Sequence, residues 1–195
     1  IRLDIDANNA LIGYPFPVNI DNEIKWINNL YIGEQHRTSI YLAIEEKVTK
    51  KFIGYVSLKD IQYIHKNGKF GIILLKKFRG KGYAFEAMTL IFKYIFNQIN
   101  MNKISLEVLE DNLVAIRLYK KIGFIHEGEL KGHIWQEGKF KNLLIMSLFE
   151  KRFNTKAVNI PPINTEIIIL KLATLVIIRK KAPAKIAIVD VSPML

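Results

Sequence analysis

The sequence contains no cysteine, so neither disulfides nor thiol nucleophiles enter its chemistry. Its four histidines, His36, His65, His126 and His133, show no metal-ligand spacing. His126 and His133 stand seven apart across an expected strand and read as surface residues; no metal is expected. No apolar run approaches the ~20 residues that cross a bilayer. The longest, Ile167 to Ile178, is interrupted by Lys171. No secretory signal pattern opens the chain, which begins at Ile1 rather than Met, as a fragment would. Acidic residues are scarce: 18 Asp and Glu face 29 Lys and Arg, a net charge of +11. That surplus favours an anionic partner, either nucleic acid or a multiply phosphorylated small molecule. The lysines are dispersed rather than gathered in one block, which describes a solvated surface better than a nucleic-acid footprint.

What is present fits one globular domain with an appendage: 195 residues, half of them hydrophobic and 11% aromatic. Residues 1–20 read as irregular, apart from a short strand over Ile1–Asp6 and an extended Gly13–Pro17. Asp21 is placed to cap a helix that ends at Gly33, with Ile24, Ile27, Asn28 and Tyr31 on one face. Alternation predicts strands over Ser39–Glu45 and Lys51–Leu58, joined by a turn at Thr49–Lys51. Asn67-Gly68 predicts a tight turn within His65–Lys69, leading to a strand over Phe70–Leu75. Ala84, Ala87, Met88, Ile91 and Ile95 form a helical stripe over Ala84–Ile99. A strand over Lys103–Leu109 follows, then a helix capped by Asn112, running through Lys121 and stopped by Gly123. Strands over Phe124–Lys131 and Phe140–Phe149 close the unit, joined through Trp135–Gly138. The order is βββ–α–β–α–ββ. It gives an α+β fold: a mixed, mostly antiparallel sheet with one parallel strand pair and flanking helices. Beyond residue 153, Pro161-Pro162 mark a linker over 154–165. Two strands, Glu166–Arg179 and Lys185–Val191, then form a tail suited to extending a sheet edge, in this molecule or in a neighbour.

Between the third strand and the first long helix lies Lys77-Phe78-Arg79-Gly80-Lys81-Gly82-Tyr83-Ala84. Two glycines let the backbone approach a ligand, and a helix start offers unpaired N–H groups and a positive dipole end. With Lys77, Arg79 and Lys81 alongside, this is an anion site suited to a pyrophosphate. A P-loop is excluded, because Leu75 stands where its first glycine belongs and Gly82 follows Lys81. A dinucleotide fingerprint is excluded by Phe85. Alone, the loop is also explained by an ordinary left-handed turn.

A second stretch decides. Residues 110–124, Glu110-Asp111-Asn112-Leu113-Val114-Ala115-Ile116-Arg117-Leu118-Tyr119-Lys120-Lys121-Ile122-Gly123-Phe124, follow the pattern Asn-x-x-Ala-x-x-x-Tyr-x-x-x-Gly-Phe. Together with the Gly80-Lys81-Gly82 loop, this resembles the paired signatures of the GNAT family of acyl-CoA-dependent N-acyltransferases, over about residues 20–153. Its branches containing ribosomal-protein alanine acetyltransferases and spermidine acetyltransferases are the most similar. One departure is Lys77, which stands where the family carries Gln or Arg and lacks a guanidinium fork.

The resemblance implies a cytoplasmic enzyme moving acetyl from acetyl-CoA to a primary amine by direct attack in a ternary complex. It implies a catalytic domain over 1–153 and a tail over 154–195. Backbone amides of Arg79, Gly80, Lys81, Gly82, Tyr83 and Ala84 would hold the CoA pyrophosphate. Leu74 and Leu75 would offer backbone groups to the donor, and Asn112 would steady the pantetheine. Tyr119 would protonate the leaving thiolate, with Glu107 as general base. For each there is a plainer structural role: Tyr119 as packing, Asn112 as a helix cap, Glu107 as a strand-face ion pair, and Trp135, Glu129 and Glu137 as hairpin residues rather than acceptor contacts. With a chain at +11, a polycationic acceptor such as spermidine ranks below a peptide α-amine or an amino sugar. A homodimer through the tail is expected, and nucleic acid is not. The alternative is a non-catalytic GNAT fold that binds CoA or associates with nucleic acid.

Overall fold

The structure, a computed structural model, describes residues 19, 21–22, 24–25, 38–157 and 167–171. Its strands are β1 (Ile40–Glu46), β2 (Phe52–Gln62), β3 (Asn67–Leu74), β4 (Lys103–Leu109), β5 (Ile125–Gln136), β6 (Lys139–Phe149) and β7 (Ile167–Lys171). The helices labelled here are α1 (Tyr83–Asn97), α2 (Leu113–Ile122) and α3 (Glu150–Ala157). The seven strands form one sheet in the order β5-β6-β4-β3-β2-β1-β7. Every pair is antiparallel except β3–β4, the parallel pair that a strand–helix–strand unit dictates. No helix among the described residues is long and apolar enough to cross a membrane.

Alternation along the strands sends Ile44, Val56, Leu58, Phe70, Leu74, Ile104, Leu106 and Val108 into one apolar cluster with the helices. Phe92 of α1 is its hub. The ring meets Phe70 edge-on at 4.7 Å, Phe124 at 5.7 Å and Phe153 of α3 at 6.0 Å. The predicted stripe on α1 is buried from Ala87 to Ile95, with Ala84 half-buried, and is widened by Phe92 and Phe96.

One feature of the sheet positions the site. β3 and β4 pair only over Asn67–Lys69 with Lys103–Ser105 and then part, leaving a notch between their C-terminal halves.

Several expectations shift. Asn67-Gly68 is not a turn: the chain turns at Tyr63–Lys66, with Lys66 at φ 51°, and Asn67 and Gly68 already pair with β4. The glycine serves a close approach instead, since a Cβ at Gly68 would stand 3.0 Å from a Leu58 methyl. The β1–β2 connection runs over Lys47–Lys51, containing the expected Thr49–Lys51, with its turn at Lys47–Thr49. β5 runs on to Gln136, so the β5–β6 turn shrinks to Glu137-Gly138, both left-handed. The N-terminal helix is capped by Asn19, whose Oδ1 accepts from Asn22 N at 2.8 Å, and Asp21 is already helical. Asn154–Ala157, read as linker, continues α3. The expected tail strand appears as β7, laid antiparallel on β1 of its own chain. The features expected over residues 1–18, 26–33, 158–166 and 172–191 lie outside the described residues, so of the expected Glu166–Arg179 strand only Ile167–Lys171 is described.

Candidate active site

The glycine loop grows out of the end of β3. After Leu74 the chain makes a single 3-10 turn, Lys76–Phe78, with Phe78 driven into the core. Gly80 (φ 76°) and Gly82 (φ 87°) both take the left-handed region, and Gly82 is the N-cap of α1. A Cβ built on either glycine meets nothing within 4 Å. Glycine is required by backbone conformation, then, and the space above the loop is open. No side chain caps α1, so its first N–H groups stay available for an anion. Lys77 and Lys81 gather over one ring, with their Nζ atoms 5.1 Å and 5.7 Å from the Phe78 centroid. Lys77, the departure in the motif, thus stands beside the loop although it lacks a fork. Arg79 folds back, its Nε donating to Leu74 O at 2.9 Å.

The notch supplies backbone donors. Leu75 N donates to Ile53 O of β2 at 2.9 Å, so that amide, one of the two expected to serve the donor, is occupied. Amide direction alternates along a strand, which turns the N–H groups of Leu74 and Ile72 toward the β4 side. No strand pairs with them there.

Across the notch, Asn112 caps α2: its Oδ1 accepts from Ala115 N at 3.2 Å. Its amide nitrogen makes no hydrogen bond among the described residues. Both roles weighed for Asn112 therefore fit, because the cap uses oxygen and leaves the nitrogen. Tyr119 lies one turn from the end of α2, its ring 5.6 Å from Phe124. Burial pushes its phenol up to about 12. Its hydroxyl makes no hydrogen bond among the described residues. It is a neutral phenol with a proton to give.

Glu107 stands on the sheet face opposite the helical cluster, two residues beyond the last β4 residue paired with β3. Its Oε1 lies 3.3 Å from Lys69 Nζ, so the strand-face ion pair is present. Tyr119 and Glu107 thus flank the notch from opposite faces and do not touch. Trp135 is exposed and packs edge-on against Phe140 at 4.8 Å. Glu129 accepts from Asn142 Nδ2, and Glu137 accepts from Lys141 Nζ.

Sequence reasoning passed over the polar ties that hold this frame. Tyr83 Oη donates to Glu46 Oε1 at 2.8 Å across 37 residues. Covered Lys141 bridges Asp111 (2.7 Å) and Glu137 (3.0 Å), and Asn142 donates to Glu110 and Glu129. These last contacts clamp the loop before Asn112 to the β5–β6 hairpin. Only the acid residues in Glu110-Asp111-Asn112 hinted at them.

Comparison with known proteins agrees with this arrangement. The profile of the Acetyltransferase (GNAT) domain matches residues 3–125. The spermidine N(1)-acetyltransferase of Vibrio cholerae serotype O1 is 28% identical over 152 residues, covering 77% of this chain and 86% of that protein. The spermidine N(1)-acetyltransferase of Escherichia coli K12 is 30% identical over 149 residues, covering 76% and 79%. The crystal structure of spermidine N-acetyltransferase from Vibrio cholerae in complex with CoA and spermine superposes with a TM-score of 0.71 at 25% identity, covering 78% of this chain and 88% of that one. A glycine loop open above a helix start, a splayed parallel pair and an Asn–Tyr helix are the parts such a reaction needs, and the chain belongs to the GNAT acetyltransferases, acting on acetyl-CoA and a primary amine.

Proposed function

We propose that this N-acetyltransferase acylates a small polyamine of the spermidine type, by direct attack of a neutral primary amine on the thioester of acetyl-CoA. The backbone of Gly80–Ala84 holds the pyrophosphate, with Lys77 and Lys81 adding charge; the Arg79 amide, expected to join them, instead donates to Lys76 O at 3.1 Å. The pantetheine arm lies in the notch, where the Asn112 amide nitrogen and the N–H groups of Ile72 and Leu74 are the donors left unpaired. Leu74 N–H and its neighbours stabilise the oxyanion that forms on attack. As the C–S bond breaks, Tyr119 donates a hydrogen bond to the departing sulfur. A thiol of pKa about 8.5 is a stronger acid than a phenol at about 12, so Tyr119 stabilises the thiolate by hydrogen bonding rather than by complete transfer. Glu107, reached through water, removes a proton from the incoming ammonium, and Lys69 must give way as it does; the proton that nitrogen sheds as the intermediate collapses passes through water to the CoA thiolate, which leaves as the thiol. Residues 1–157 form the catalytic unit in this reading, its end moved from 153 to the last residue of α3, and 158–195 a tail whose β7 lies along β1; the enzyme is cytoplasmic.

The distribution of charge carries the choice of acceptor. The stretch from Lys76 through α1, together with α2 and α3, contains eleven Lys and Arg but only Glu86 and Glu150 as acids. Nearly the whole net charge is therefore carried by the glycine loop and these helices, and the remainder of the chain is close to balance. A whole-chain charge of +11 ceases to argue against a polycation at the other face. The spermidine-acetylating relatives, matched over most of their length, support the same choice.

A thiol-release assay with acetyl-CoA tests this against spermidine, spermine, amino sugars and peptides with a free α-amine. The highest kcat/KM is expected for a polyamine. A preference for peptide or amino sugar would overturn the acceptor and leave the transferase intact. Thiol release with no amine at all would defeat the reaction itself.

A further inference from the structure

The donor loop has few local restraints. Two left-handed glycines flank Lys81, and α1 starts without a side-chain cap. A glycine loop loses more conformational freedom on ordering than any other, so an anion site built this way gains from being held in place beforehand. Two side-chain hydrogen bonds do hold it, one local and one long-range. Arg79 Nε reaches back to Leu74 O at 2.9 Å, and Tyr83 Oη reaches across to Glu46 Oε1 at 2.8 Å.

The second tie is the informative one. Tyr83 is the first residue of α1, buried, with its ring 6.3 Å from Phe78. Glu46 ends β1, on the face that carries Ile44 into the helical cluster. Both of its oxygens are engaged: Oε1 by Tyr83 and Oε2 by Thr49 of the following turn. Lys51 and Lys81 lie close enough to join these hydrogen bonds in holding its carboxyl below the usual range. A charged acceptor at the end of β1 thus receives a hydrogen bond from the hydroxyl of the residue where the helix begins. Such bonds are stronger than neutral ones and fix direction.

We propose that Tyr83 and Glu46 are a positioning pair for the acyl donor: their hydrogen bond presets the start of α1 so that its N–H groups face the CoA pyrophosphate. This rests on the loop being the CoA site. Neither side chain touches the reacting atoms, so the pair acts on donor affinity and not on the chemical step. β7 pairs Ile167 with Glu46, so the tail strand abuts the same anchor.

The test is equilibrium binding of CoA, with melting curves run in parallel, to Tyr83→Phe, Glu46→Leu, the double variant and Glu46→Gln. Tyr83→Phe keeps the buried ring, and Glu46→Leu alters only the strand end. Each should weaken CoA binding about fivefold to tenfold, and the double variant should be no weaker than the poorer single. Glu46→Gln can still accept from Tyr83 but without the charge, so its loss should fall between the parent and Glu46→Leu. In turnover, KM for acetyl-CoA should rise in Tyr83→Phe while KM for the amine and kcat hold. CoA binding unaffected by Tyr83→Phe, or additive losses in the double variant, would overturn the pair. Failure of the parent enzyme to bind CoA would instead defeat the assignment of the loop.

Discussion

The two faces of the sheet treat their polar groups in opposite ways. On the strand side and its hairpin, charges find one another: Lys69 with Glu107 and Asp60, Lys103 with Glu127, Lys141 with Asp111 and Glu137. Glu127 also accepts from buried Ser147, and Asn142 satisfies Glu110 and Glu129. On the helical side, Lys77, Arg79 and Lys81 make no ion pair among the described residues, and Tyr119 Oη and the Asn112 amide nitrogen stand without hydrogen bonds. Folded proteins satisfy most of their polar groups, so a run of unsatisfied ones along one track marks where a polar ligand completes the structure. The track runs from the glycine loop to the notch. Its length and positive end suit CoA, whereas the paired side offers an acceptor no net repulsion.

The largest break in that contrast comes from Tyr119. Tyr119→Phe leaves the ring against Phe124 and removes only the unpaired hydroxyl. Turnover at neutral pH should fall by about a hundredfold, while CoA binding and melting temperature hold. Its pH dependence sharpens the test. The phenol is needed protonated, and burial raises it from 10.0 to about 12, so donation is complete below 10 and lost only as pH climbs through about 12. The kcat of the parent should therefore show no tyrosine-linked decline between pH 8 and 10. A decline centred near 10, or undiminished turnover in Tyr119→Phe, would remove Tyr119 from the step. Glu107→Gln, on the paired face, should cost less than Tyr119→Phe, because its carboxylate already serves an ion pair.

A smaller break compares a free cation with a tied one. Lys81→Gln removes charge from the open loop and should weaken CoA about tenfold at low salt, less at high salt, since a screened attraction is lost. Lys141→Met removes a covered ammonium shared by two carboxylates. It should lower the melting temperature and leave CoA affinity alone. The ion pair raises Lys141, so its contribution is present below 10.5 and fades as pH rises through the higher folded value. If the two variants changed the same property, the division between faces would be false.

How much of this was legible depended on range. Strand alternation around Leu106 and Val108, the α1 stripe, the Asn112 cap and the Gly123 stop are local patterns, and all appear where the sequence places them. Asn67-Gly68 misled because its glycine answers to Leu58 on the neighbouring strand, a contact no short window contains. Asn19 took the cap from Asp21 because two adequate acceptors stood two residues apart, and propensity does not choose between them. Within the site, the motifs located Gly80, Gly82, Asn112 and Tyr119. They gave no notice of Glu46, Lys141 or Asn142, whose work is done through partners as far as 37 residues away. Net charge is a blunt guide for a related reason: a sum over the chain cannot show that the surplus is carried by the stretch from Lys76 through α1 and by α2 and α3.

The smallest effect separates the two uses of Asn112. If the side chain only caps α2, Asn112→Asp should behave as the parent, because aspartate caps equally well and its charge suits a helix N-terminus. If the amide nitrogen also holds the pantetheine, Asn112→Asp keeps the oxygen that accepts from Ala115 N but loses the donor. KM for acetyl-CoA should then rise severalfold at an unchanged or higher melting temperature. Asn112→Ala loses both functions: a similar rise in KM, joined by a loss of about 1 kcal/mol in stability. Melting temperature thus reports the oxygen and KM the nitrogen. An Asp variant with the parent's KM would return Asn112 to the satisfied class and shorten the ligand track by its middle contact.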